Sequence, residues 1–323
     1  MLFKGVDFWP HKKHFDLFAA RKLCITVTSI LLFIAVASVF TKGLNFGIDF
    51  KGGSLLEVQA KSGTLDISDL RSRLSTLNLG DIQIQSLDNP RDALIRVEQQ
   101  TASGDLSAEQ AQQAAANKVR DALGDTIDIR RVEVVGPGVS GELRNAGIVA
   151  VCFAIIGILF YVWFRFEWQF GVAAIVALVH DIMLTLGAFS LFGMDFGLNE
   201  VAALLTLAGY SINDTVVIFD RVRENLRRYK KMPLAQLVNL SLNETLSRTI
   251  VTSLSTFLAV SAIFFFGGEV IHGFAFAMLF GIVVGVWSTI IIATPLLVWL
   301  GVKRDWSETG SSVRKQPTAA AKA

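Results

Sequence analysis

The chain has 323 residues, of which 52% are hydrophobic, 24 are Phe and only 18% are charged, with a formal net charge of +2. Soluble domains carry roughly 25% charged residues, so this composition excludes a disordered chain, a coiled coil and an ordinary cytosolic enzyme. The small net charge leaves no footprint for nucleic acid, and the reading is a polytopic membrane protein.

A helix crossing the ~30 Å hydrocarbon core needs about 20 mostly apolar residues. The first such run is Leu23–Phe40. Lys12, Lys13, Arg21 and Lys22 lead into it, and Ala35-Val36-Ala37 resembles a cleavage site. Its apolar stretch exceeds the roughly 7–15 residues of a signal peptide, which predicts a retained helix over 23–41 behind an N-terminal segment 1–22. Cys24 falls in this run and Cys152 in the next, so neither is placed for a disulfide in an aqueous domain.

Composition then shifts sharply over 42–141. The pattern predicts strand Ser54–Ala60, helix Ile67–Leu77, strand Ile82–Leu87, strand Ala93–Glu98, helix Ala108–Leu123 and strand Ile127–Val135. Ser107 can cap the second helix, Gly124 can end it, and Asn89-Pro90 marks a turn. The β-α-β-β-α-β order fits a small α+β ferredoxin-like domain, a fold that names no function by itself. Gln and Ala crowd its second helix, which predicts weak packing there. Just ahead of the first strand, Gly47, Gly52 and Gly53 allow a tight turn.

Five further runs follow within 142–302: Ala146–Phe164, Phe170–Phe192, Val201–Phe219, Thr249–Phe266 and Gly273–Leu300. The last is long enough to tilt or to extend past the bilayer. Lys and Arg set the orientation. With a cytoplasmic N-terminus, that side holds 1–22, 165–169, 220–247 and the tail, carrying 5, 1, 6 and 5 basic residues, whereas the short connections 193–200 and 267–272 carry none. Both termini are therefore read as cytoplasmic and the insert as extracytoplasmic. The loop 221–247 opens with Arg221, Arg223, Arg227, Arg228, Lys230 and Lys231, read first as an anchor on anionic membrane lipid and second as a docking site. After Pro233, the residues Leu234, Leu237, Val238 and Leu242 share one face and Gln236 and Asn243 the other, which predicts a short interfacial helix. The tail 303–323 reads as disordered. No internal repeat and no nucleotide or metal motif is found.

An ionisable side chain inside the bilayer costs roughly 2.5–3.5 kcal/mol on insertion scales, so each one calls for protein or water around it. Asp214 lies in the fourth span, six residues before Asp220. At 1.5 Å per residue it sits ~9 Å inside the edge. Tyr210 and Ser211 share its face and Asn213 flanks it. Arg248 opens the fifth span, and Thr252, Ser255, Ala259 and Ala262 follow at helical spacing as a narrow stripe. Asp214 and Arg248 have similar depths, so an ion pair or a one-water bridge is geometrically open. The bland readings are a packing pair for Asp214 and a snorkelling anchor for Arg248. His180 and Asp181 sit near the middle of the third span, either as a proton path or as a buried pair satisfied by neighbouring Ser, Thr or backbone. Glu269 and His272 fall in a short turn and read as solvated, and Gly281 and Gly285 form a G-x-x-x-G packing motif.

Two segments, Phe46-Gly-Ile-Asp-Phe-Lys-Gly-Gly53 and Gly209-Tyr-Ser-Ile-Asn-Asp-Thr-Val-Val-Ile-Phe-Asp-Arg-Val-Arg-Glu-Asn225, resemble the SecD/SecF family. The six-span layout and the insert after the first span resemble it too, and the length and single small insert are similar to its SecF-type members. The first segment, with Phe46, Gly47, Asp49, Gly52 and Gly53, reads as structural. The resemblance implies half of a resistance-nodulation-division type transporter in the bacterial inner membrane, with SecD as the other six-helix half. It also implies YajC and the SecYEG channel as partners and translocating preprotein as cargo. The task it implies is late-stage export driven by the proton-motive force, with Asp214 and Arg248 tied to proton flow. No cofactor and no catalysis are implied. Three other readings are weighed: a half-exporter of small hydrophobic molecules, a scaffold stabilising the translocon, and a protease using Asp181 and Asp214 as a dyad. The last lacks any Gly-x-Gly-Asp, Gly-x-Ser-x-Gly or His-Glu-x-x-His sequence.

Overall fold

The computed structural model describes residues 15–18, 21–87, 89–101 and 107–302. The expected tail, most of the N-terminal segment and the side chain of Glu269 lie outside the described residues. Among the described residues, six helices are long and apolar enough to cross a membrane: α1 (Arg21–Lys42), α5 (Pro137–Arg165), α6 (Trp168–Phe192), α7 (Leu198–Arg228), α8 (Leu234–Phe266) and a last run, Val270–Leu300. That run is α9 (Glu269–Ser288), a π-helical turn (Thr289–Ala293) and α10 (Thr294–Leu300) in succession. α6, α7 and the last run form the inside of the bundle, while α1, α5 and α8 leave most of their surface bare. Phe153, Phe160, Trp163 and Phe164 of α5 are exposed, as suits a lipid-facing helix.

Between α1 and α5 come β1 (Asn45–Phe46), α2 (Ile48–Lys51), β2 (Gly53–Ala60), α3 (Ile67–Ser75), β3 (Ile82–Ser86), β4 (Asp92–Val97), α4 (Ala108–Leu123) and β5 (Ile127–Val135). Strands β2–β5 form one antiparallel sheet in the order β3-β4-β2-β5, the ferredoxin-like arrangement. One face carries α3 and α4 over Leu56, Val58, Leu70, Leu74, Ile95, Val119 and Leu123, all buried. α4 is not weakly packed. Ala115, Ala116, Val119 and Leu123 fill its inner face, and its buried Gln112 donates to Ser54 Oγ (2.8 Å) and accepts from the Gln100 amide (2.6 Å). Small side chains let α4 sit close, and Gln112 costs little because it is satisfied. Ser107 and Gln110 form a capping box, and Gly124 ends the helix at φ +64°.

The conformational need for glycine is concentrated at the entry to β2. Gly52 has φ +75° and Gly53 φ +124°, and a Cβ on Gly53 would lie 2.5 Å from the Val97 carbonyl oxygen. Gly47 is different: its backbone is ordinary, and its Cβ position lies 3.6 Å from Gly197 Cα, an ordinary van der Waals distance.

A repeat escapes the sequence reading. β1 pairs in parallel with β6 (Asp195–Phe196), placing Asn45-Phe46-Gly47-Ile48-Asp49 beside Asp195-Phe196-Gly197-Leu198-Asn199. Each segment follows the end of a spanning helix, α1 or α6, and those helices pack together where Ser38 and Ser190 hydroxyls meet at 2.9 Å. Asp49 then accepts the Leu198 amide (2.9 Å), and Glu200 accepts the Gly197 amide (2.7 Å), so the start of α7 is capped from both segments.

The region 221–247 also differs from expectation. α7 runs through Arg228 and α8 starts at Leu234, so the short interfacial helix is the first part of one 33-residue helix. Pro233 starts that helix, and no breaker separates Leu242 from Thr249. Part of the basic cluster is engaged within the bundle. Arg221 bonds Glu244 (2.7 Å) and Glu224 (2.6 Å), Arg165 bonds Asp220 (2.6 Å), and Arg165 and Arg223 lie 4.9 and 5.3 Å over the Phe166 ring. The segment before α1 docks on the same end of the bundle, where Asn239 and Asn243 bond the backbone of Phe15 and Leu17.

α7 meets the last run through a ladder of small residues. Gly273 faces Glu200, Gly281 faces Leu207 and Gly285 faces Ser211, so steps of eight and four residues on one helix meet steps of seven and four on the other. A Cβ on Gly281 would stand 2.3 Å from Leu207 Cδ2, in a fully buried contact. Gly281→Ala therefore forces Leu207 aside and is expected to cost about 1–3 kcal/mol. A lowered thermal midpoint in detergent checks this; an unchanged midpoint contradicts the close approach.

Candidate functional site

Among the described residues, two aspartates are buried well inside the spans, and Glu200 is buried at the start of α7. Asp214 is 5% exposed on α7, and its Oδ2 accepts a hydrogen bond from Ser253 Oγ of α8 at 3.2 Å. Arg248 is exposed on α8 and, among the described residues, forms no ion pair with Asp214. Arg248 lies on the same helix as Ser253, the partner of Asp214, five residues before it. The structure thus brings the two residues to the same region without joining them.

Asp181 on α6 is fully buried and more thoroughly held. Its Oδ2 accepts from Ser211 Oγ of α7 (2.6 Å) and Ser288 Oγ of α9 (2.9 Å), and its Oδ1 lies 3.0 Å from His180 Nδ1. Beside it, Thr215 and Thr289 hydroxyls meet at 3.1 Å. Three helices therefore converge on one carboxylate. The π-helical turn begins at Thr289, next to Ser288, and Pro295, which lacks an N–H, follows it. Such turns recur at functional positions because they re-aim side chains within a helix. His180 is 4% exposed and its Nε2 has no partner among the described residues.

The expected supporting stripe divides. Ser211 belongs to Asp181, not to Asp214. Tyr210 is half-buried and its hydroxyl has no partner among the described residues. Asn213, Thr252 and Ser255 are exposed, and the last two turn their hydroxyls back to the carbonyls of Arg248 (2.9 Å) and Thr252 (2.8 Å). Ser253, which does hold Asp214, escapes the sequence reading; it is one residue, or 100° of helix, from Thr252. The two carboxylates each accept from hydroxyls and share no hydrogen bond, so a protease dyad is not assembled. His272 is half-buried, with its ring 4.1 Å from that of Phe264, rather than solvated.

The sheet domain is tied to the bundle near these helices. Arg96 of β4 forms a salt bridge with Asp195 of β6, which also accepts from Asn45 Nδ2 at 2.6 Å. A hollow of about 410 Å³ lies between the bare face of the sheet and the ends of α6, α7 and α9.

Residues 115–303 match the family profile of the protein export membrane protein SecD/SecF, C-terminal region, and residues 37–64 match the SecD/SecF GG motif. The translocase subunit SecF of Desulfurispirillum indicum is 46% identical over 86% of this chain and 89% of its own. The translocase subunit SecDF of Brucella abortus is 42% identical over 94% of this chain but 39% of its own length. The crystal structure of SecDF from Thermus thermophilus, a translocon-associated membrane protein, superposes with a TM-score of 0.80 at 35% identity, over 91% of this chain and 40% of that one. The chain thus spans about two fifths of the SecDF relatives it matches.

Proposed function

The chain belongs to the SecD/SecF family of protein export membrane proteins, and we propose that it is the six-span half of a proton-driven machine that draws preproteins outward late in export. SecD supplies the other six spans, YajC lies alongside, and SecYEG is the channel. On this reading the chain is a multi-pass protein of the bacterial inner membrane with both termini in the cytoplasm and the sheet domain in the periplasm. The one-sided Lys and Arg of the short connections support that orientation.

One observation carries the reading. Asp214 is buried at the margin of a surface that is small or polar yet exposed within the spans: Thr206, Gly209 and Asn213 on α7, and Arg248, Thr252 and Ser255 on α8. Lipid gives such side chains nothing, and small or polar residues are the ones that pack helix on helix in a membrane. A second set of helices laid there encloses Asp214 and Arg248 together. The SecDF relatives, with chains more than twice as long, are consistent with such a half.

The mechanism follows from the two partners available to Asp214. With its proton on, the neutral acid rests against Ser253. With its proton off, the carboxylate draws Arg248, which stays charged and only changes partner. Each exchange moves α8 relative to α7. A proton taken from the periplasm and released to the cytoplasm makes the cycle directional, and the sheet domain moves with the helices through Arg96–Asp195.

In vesicles holding the complex, SecYEG and a preprotein past its ATP-driven stage, collapsing the proton gradient is expected to stall outward movement; an unchanged rate overturns the reading. Arg248→Lys keeps the charge but loses the planar fork, so gradient-driven export is expected to fall only a few-fold. A complete loss assigns Arg248 a role that charge alone does not explain.

A further inference from the structure

The sheet has two edge strands, β3 and β5, and only one is defended. A bare edge recruits other strands unless charges, bulges or proline block it. On β5 the register breaks opposite Glu57 and Val58, leaving Arg130 as a bulge, and Asp128, Arg130, Arg131 and Glu133 charge the strand. β3 reads Ile82-Gln83-Ile84-Gln85-Ser86: it has no charge and no proline, and it pairs with β4 in unbroken register. The Glu98 amide donates to the Asp81 carbonyl and the Leu87 amide to the Asp92 carbonyl. Antiparallel alternation carries that parity along the strand. It turns the N–H and C=O groups of Ile82, Ile84 and Ser86 outward, and none of these has a hydrogen bond among the described residues.

The side chains keep the same period. Gln83 lines a hollow of about 290 Å³ with Phe46, Lys51 and Arg96. Gln85 lines the hollow of about 410 Å³ that also contains Arg96 and Glu133. Gln83 and Gln85 stand two residues apart, ~6.8 Å along a strand, on the bare face of the sheet.

We propose that β3 is an acceptor edge for an extended segment of unfolded polypeptide, which pairs with it through main-chain bonds and sets alternate side chains over the two hollows. Main-chain pairing binds without demanding a sequence. The hollows carry both signs of charge, so they select against neither. The ends of α6, α7 and α9 line the larger one, which leaves about 410 Å³ open over the bare face, room for the side chains of one extended strand. The source of the polypeptide, a chain in export, rests on the function proposed above; the edge itself does not.

The test uses the purified full chain with whatever partner accompanies it, no gradient, and photoreactive benzoylphenylalanine in place of Gln83. The probe is a reduced, alkylated, permanently unfolded polypeptide, with its native folded form as control. Cross-linking to the unfolded probe alone is expected. Ser86→Pro removes one outward N–H at an exposed edge position where proline is tolerated, and is expected to lower the yield roughly fivefold or more, while Ser86→Val retains it. Gln85→Lys, which charges the edge and leaves the backbone intact, is expected to do the same and guards against a Ser86→Pro chain that fails to fold. Parental yield in Gln85→Lys overturns the proposal, as does cross-linking to the accompanying partner in place of the probe. Asp214→Asn is expected to bind the probe normally, so failure of the proton reading leaves this result untouched.

Discussion

Asp214→Asn is expected to yield a chain that inserts, assembles with its partner and no longer responds to a proton gradient. The substitution is isosteric, and the Asn carbonyl oxygen accepts the Ser253 hydroxyl as the carboxylate oxygen does. In the chain alone the change breaks no ion pair among the described residues, and in the assembled complex the neutral amide presents to Arg248 what a protonated Asp214 also presents. What the variant loses is the ability to take and release a proton. A proton crossing 100 mV supplies about 2.3 kcal/mol, enough to shift two helix arrangements by about fifty-fold. Without it the gradient-dependent part of export is expected to vanish while the ATP-driven part continues. The measurement is preprotein release from vesicles with and without an imposed gradient, alongside co-purification of the second six-span chain. Parental acceleration by the gradient removes Asp214 from the mechanism. Failure to assemble makes it a packing residue, and the scaffold reading then takes precedence.

The sequence carries the positions of expensive residues better than their partners. Asp214 and Asp181 stand out because a carboxylate in an apolar run has a cost that must be met. Which hydroxyl meets it is not legible: lipid and protein interior are equally apolar, so a spanning helix shows no strong contrast between its faces. Thr252 and Ser255 therefore look like neighbours of Asp214, although Ser253 is the one that turns inward. Likewise Ser211 shares a face with Asp214 yet spends its hydroxyl on another helix. The sheet domain is easier, because water on one side imposes a period of two on its strands. β1 and β6 are missed for the opposite reason: two residues are too few to show any period, and only their pairing exposes the repeated Phe-Gly. The joined helices α7 and α8 follow a similar logic. Charged residues such as Arg221 and Glu244 look like a loop in a hydropathy reading but bond one another on helical turns extending past the apolar core.

Asp181 is expected to behave as a structural hub, and two substitutions separate that from a place on the proton path. Asp181→Ala leaves the Ser211 hydroxyl without its acceptor, takes one of two acceptors from Ser288, which keeps the Gly285 carbonyl, and strips His180 Nδ1 of its partner, at a fully buried position. A buried polar group left without its partner costs about 1–3 kcal/mol, so losing these bonds from one buried point is expected to cost about 3 kcal/mol. Accumulation in the membrane should fall several-fold, since losses of this size change the steady-state amount of a marginally stable chain. Asp181→Asn keeps an oxygen for the two serines and offers an N–H to His180 Nδ1 when the imidazole proton sits on Nε2. It is therefore expected to restore accumulation and, because Asp181 is tied to three helices at once, the gradient response as well. Quantitative immunoblotting gives the first readout and the vesicle assay the second. An Asp181→Asn chain that accumulates normally but ignores the gradient places Asp181 with Asp214 on the proton route, with Ser211, one helical turn from Asp214, as the step between them.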